Sequence, residues 1–106
     1  MGKYLFHGSY TVEGAKGVIR EGGSGRRKAI EALAASVGGR VESFHFAFGT
    51  DSFYVICDLP DNEAAATVSM TVGAGGGAAV STVVLLTPEQ VDAAAKRTAT
   101  YRAPGQ

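Results

Sequence analysis

Residues 3–10 alternate, with Tyr4, Phe6, Gly8 and Tyr10 on one face and Leu5, His7 and Ser9 on the other. A period of two with aromatic side chains predicts a strand. The pattern changes after Tyr10. Thr11 stands at an N-cap position, with Glu13 and Gly14 close behind and Val18 and Ile19 as apolar positions. This predicts a short helix that ends at Gly22-Gly23. Ser24 offers a second cap, and Ile30, Leu33, Ala34 and Val37 recur at helical spacing. A second helix is therefore expected over 25–37, stopped by Gly38-Gly39.

Two more strand patterns, Val41–Phe48 and Phe53–Asp58, meet at Gly49-Thr50-Asp51-Ser52. With that four-residue turn, Phe48 opposes Phe53, Phe46 opposes Val55 and Phe44 opposes Cys57. These six side chains share one apolar face. Val41, Ser43, His45, Ala47, Tyr54, Ile56 and Asp58 make the other, mixed face. A slip of one residue would put His45 among the phenylalanines. Pro60, then Asp61 or Asn62 as cap and Glu63 in the first turn, predict a helix to about Val72. Its buried stripe is Ala65, Val68 and Val72, and the glycine-rich stretch 73–77 ends it. Ala79–Leu86 reads as a nearly continuous apolar strand. Thr87-Pro88-Glu89-Gln90 opens a terminal helix reaching about Lys96, with Thr as cap and Pro in the first position.

The arrangement is a split βαβ, or ferredoxin-like, α+β fold: a four-stranded antiparallel sheet, helices on one face, and an extra C-terminal helix. One domain over 1–106 fits the length. The expected strand order, 4-1-3-2, leaves one sheet face bare. A bare face with apolar area should pack against something, and further copies of the chain are the expected partner, as a homodimer or a larger ring of dimers. Two sheets face to face would form a dimeric α/β barrel. Ten basic residues balance ten acidic ones, which argues against nucleic acid as a partner and leaves little repulsion between copies. No apolar run approaches the ~20 residues of a membrane span. The N-terminus enters a strand without a signal-peptide pattern. The lone Cys57 sits in an apolar run and cannot form an internal disulfide. A cytoplasmic protein of bacterial type is the expectation.

Tyr10-Thr11-Val12-Glu13-Gly14-Ala15-Lys16-Gly17 resembles the Y-T-x-E-G-x-K-G opening of the GYD domain family. Gly22–Arg27, Gly38-Gly39, Asp58-Leu59-Pro60-Asp61 and the stretch from Leu85 to Arg102 extend the similarity over nearly the whole chain. The resemblance implies a ferredoxin-like fold and an oligomer, and supplies little about function. The family is named for G-x-Y-D in the central turn. Here Gly49 is kept, Asp51 stands where Tyr is usual, and Ser52 stands where Asp is usual.

His7 and His45 are the only histidines. On strands one and two, which flank the third, they start about 10 Å apart. A metal needs ring nitrogens within ~2.1 Å, and no Cys or carboxylate spacing completes a set, so no metal is expected. Structural histidines are the plainest reading, and a polar role in a pocket or interface is the alternative. Tyr10, Tyr54 and Asp58 could join such a ligand pocket, although tyrosines packed at a dimer interface are the stronger reading. Ser24, Arg26 and Arg27, at a glycine-rich helix start, form a weak candidate for an anion. The Walker A spacing is absent, and a solvated junction explains the cations as well. Cys57 in apolar surroundings makes a poor nucleophile. The expected function is binding a small, partly apolar ligand at the sheet–sheet junction, without a cofactor. A cofactor-independent enzyme of monooxygenase or isomerase kind, and a purely structural assembly subunit, are the alternatives.

Overall fold

A computed structural model describes residues 1–106 of the chain. Its elements are β1 (Gly2–Tyr10), α1 (Val12–Ser36), β2 (Arg40–Phe46), β3 (Phe53–Leu59), α2 (Asn62–Ala74), β4 (Ala78–Leu85) and α3 (Pro88–Ala95). The four strands form one antiparallel sheet in the order β2-β3-β1-β4. This is the split βαβ topology, with β3 and β1 at its centre.

The alternation in β1 separates two environments. Tyr4 and Phe6 are buried beside Phe53, Val55, Cys57 and Leu59 of β3. Ala34 of α1 and Ala65 and Val68 of α2 close over them. The core is thin, as a short chain dictates, and Leu59 is its only fully inaccessible residue at 0% exposure. The Tyr4 hydroxyl donates to Asn62 Oδ1 at 2.7 Å, so its polar tip is satisfied at the start of α2.

The two predicted helices at 12–37 form one element that breaks at a single residue. Gly22 has φ 77° and ψ 165°, a conformation open only to glycine. The helical path resumes at once, and the Ser24 hydroxyl makes no capping bond. The expected Ser24 cap is thus replaced by the backbone turn of Gly22 itself. The Thr11 cap holds, accepting from Gly14 N at 3.1 Å. Asp61 caps α2 through Ala64 N at 2.8 Å. Thr87 and Gln90 cap α3 reciprocally, with Pro88 in its first turn.

The hairpin differs from the sequence-based register by two residues. Phe46, not Phe48, opposes Phe53, and Phe44 opposes Val55. A shift of two keeps every side chain on its expected face, so the pattern could not reveal it. The loop is longer, closed by Ala47 N donating to the Ser52 carbonyl at 2.9 Å. Phe48 lies in it, wholly exposed. A bulge between Val41 and Ser43 corrects a second detail. It puts Val41 opposite Cys57, on the helix-covered face and not the mixed one.

Candidate functional site

The helices do not close fully on the sheet. A cavity of about 390 Å³ lies between them. Its sheet wall is Phe6, Tyr10, Phe44, Phe53, Val55 and Cys57. Ile30 and Leu33 of α1 and Val68 and Val72 of α2 form the opposite wall. The volume lies in the range of ~300–1,000 Å³ typical of small-molecule sites.

One end of this apolar space is polar. Arg26 Nη1 donates to Glu21 Oε1 at 3.2 Å across the Gly22 break. Both charges act on the Tyr10 hydroxyl. Burial raises the Tyr10 pKa first, the Glu21 carboxylate adds to the rise, and Arg26 opposes it. Tyr10 is held by Phe53, ring centroids 5.1 Å apart, and by Phe46 at 6.4 Å. Its hydroxyl makes no hydrogen bond within the chain. Deeper in, Cys57 is 2% exposed, and burial, helped by Asp58, pushes its thiol pKa up to about 11.

The Tyr10-Thr11-Val12-Glu13-Gly14 motif sets this end of the cavity. Thr11 Oγ1 donates to the Gly76 carbonyl at 2.9 Å, and Thr11 N donates to the Gly77 carbonyl at 3.0 Å. A Cβ on Gly14 would overlap the Gly77 carbonyl oxygen. The motif therefore pins the start of α1 to the glycine-rich turn between α2 and β4, directly beside Tyr10.

The bare sheet face holds the other predicted residues. Tyr54 pairs in register with His7 on one side and His45 on the other, so it occupies the position between the two histidines. His7 and Tyr54 lie nearly parallel, at 11° and 6.0 Å. His7 Nδ1 is 2.7 Å from Asp51 Oδ2. Asp58 lies on the same face towards its far end, bound by Lys3 Nζ at 2.9 Å and Arg40 Nε at 3.1 Å. Its pKa is lowered chiefly by the Lys3 hydrogen bond, and burial opposes the shift. Lys3 also reaches Glu42.

The structure thus groups His7, His45 and Tyr54, and places Tyr10 on the opposite face, in the cavity. Among the weak anion candidates, Arg26 faces Glu21 at the cavity, while Ser24 and Arg27 are exposed. Two positions that shape these surroundings escaped the sequence reading. Asp51 gave no signal beyond its departure from G-x-Y-D. Glu21 could have been noticed as the lone acid before the Gly22-Gly23 break and its following cations.

Fold and site together define a small ferredoxin-like α+β domain with a chamber under its helices and a bare sheet face. Residues 4–95 match the model of the GYD domain, and the chain belongs to that family. Comparisons with curated proteins and with solved structures return no match. No helix is long and apolar enough to cross a membrane.

Proposed function

We propose that this protein binds a small, mostly apolar molecule, and that the site is the cavity between helices and sheet. The cavity carries the reading. A chamber of about 390 Å³ walled mainly by apolar side chains is costly to leave unfilled in so thin a core. This departs in place from the sheet–sheet junction expected from the sequence, and keeps the same ligand type. Binding is favoured over catalysis because both titratable groups on the wall with shifted pKa values, Tyr10 and Cys57, move away from neutrality. General acid–base chemistry wants the reverse. Native mass spectrometry of the purified protein tests the reading. A retained small molecule, lost in a cavity-filling Val72→Trp variant, supports it. A ligand-free protein that also takes up no apolar compound overturns it.

The bare sheet face supports a second, compatible proposal, a homodimer. Tyr54 and Val83 are exposed there, at 43% and 39%, beside the half-buried Leu5 and Ile56. Lys3, Asp58, Glu42 and Arg40 neutralise one another at one end, so no uncompensated charge opposes a second sheet. No residue of α3 is buried, and Leu86 and Val91 are exposed. Eight residues fall short of the ~12–15 at which an isolated helix holds, so α3 too gains from a second copy. Light scattering after size exclusion should give a dimer that Ile56→Asp dissociates, and a monomeric wild type rejects the proposal. One free cysteine suits the cytoplasm, the compartment we propose.

A further inference from the structure

The charge balance at the polar end of the cavity narrows the ligand class. We propose that the ligand is uncharged, with an apolar body and one hydroxyl or carbonyl oxygen that meets Tyr10. This rests on the reading of the cavity as a ligand site.

Four observations lead there. The walls offer almost no hydrogen-bonding groups along most of their length, so the body of the ligand must be apolar. At the polar end, Arg26 already faces Glu21 at 3.2 Å. A carboxylate or phosphate on the ligand would enter a place where the positive charge is matched, and would lie against Glu21. The pair stands at the solvent side of the cavity, 32% and 40% exposed, and an anion placed there would share Arg26 with the Glu21 carboxylate and be repelled by it. The Tyr10 hydroxyl, half-buried on the cavity wall and open to water, has no partner within the chain and is free to meet a ligand oxygen. As a neutral phenol at pH 7 it can donate to a carbonyl or hydroxyl oxygen. Finally, Arg27 and Lys28, which could have attracted an anion, are exposed and outside the cavity wall.

Titration calorimetry with three ten-carbon compounds tests the inference: 1-decanol, 2-decanone and decanoate, the last ionised at pH 8. The alcohol and ketone should bind at least tenfold more tightly than the carboxylate. Tyr10→Phe should weaken the alcohol and ketone roughly three- to tenfold, the worth of one neutral hydrogen bond, with little effect on decanoate. Glu21→Gln should reverse the preference, because it leaves Arg26 unmatched and free to pair with the carboxylate. Thermal unfolding of both variants checks that they fold. Decanoate binding as tightly as decanol in the wild type overturns the ligand class and leaves the cavity reading standing. So does a Tyr10→Phe variant that binds all three unchanged. A protein that takes up none of the three overturns the cavity reading and this inference with it.

Discussion

His7 Nδ1 and Asp51 Oδ2 lie 2.7 Å apart, joining β1 to the hairpin loop. The contact is reinforced by Ser9 Oγ donating to the Thr50 carbonyl and by Ser52 N donating to the Gly8 carbonyl, both at 2.6 Å. Asp51 lies in the central turn whose similarity to G-x-Y-D would place a tyrosine there. In this chain the substituted position holds the loop down.

The loop carries the fully exposed Phe48, which reports on that contact. Asp51→Ala should speed chymotrypsin cleavage after Phe48 by about two- to tenfold, the opening expected from losing one part-buried hydrogen bond. Cleavage at the wild-type rate would show that the backbone bonds alone hold the loop.

Gly14 tests the anchoring of α1. A Cβ there overlaps the Gly77 carbonyl, which is backbone and cannot swing aside. Gly14→Ala should cost about 1–3 kcal/mol, as overpacking does, although alanine favours helix elsewhere. The midpoint of thermal unfolding should fall by several degrees.

Cys57 should resist an aromatic disulfide reagent at pH 8 until the protein is unfolded, because the buried thiol is held protonated. Its pKa rises from 9.0 to about 11 on folding. The native state therefore keeps its proton where the unfolded chain has lost it. This contribution is complete below about pH 9 and is lost as pH rises towards 11. Urea midpoints for Cys57→Ala should decline less over that window than those of the wild type.

Asp58 works in the opposite direction. Its folded pKa lies below 3.8, so the unfolded chain takes up the proton first. The stabilisation from Lys3 and Arg40 is present above about pH 4 and is lost as pH falls through the native pKa. Asp58→Asn should lower the urea midpoint at pH 7, and the gap to the wild type should shrink at pH 3.

Much of this architecture was legible. Alternation in β1, the caps at Thr11, Asp61 and Thr87, and the glycine stops each report a local backbone preference, and local preferences are written residue by residue. The hairpin register was not legible, since a shift of two preserves both faces. The bulge beside Glu42 was equally silent, because it inserts a residue without a special side chain. Of the candidate site, Tyr10 was named for the wrong neighbourhood. Its alternation with Tyr4 and Phe6 already placed it away from His7, yet nothing along the chain said that the helices leave space above it.

By itself, then, the sequence determined the order and type of the elements, the two faces of the sheet, the family, and the absence of a membrane-length apolar helix. These follow from periodicity, capping and composition, which act over a few residues. The tertiary structure decided what those faces meet. The break at Gly22 brings Glu21 and Arg26 together, the Gly14–Gly77 approach fixes the start of α1, and the distance left between helices and sheet makes the cavity. The Gly14–Gly77 approach and the cavity depend on contacts between residues far apart in the chain, where packing geometry sets the outcome. The Glu21–Arg26 pair, close in sequence, depends on a break that glycine permits but does not dictate.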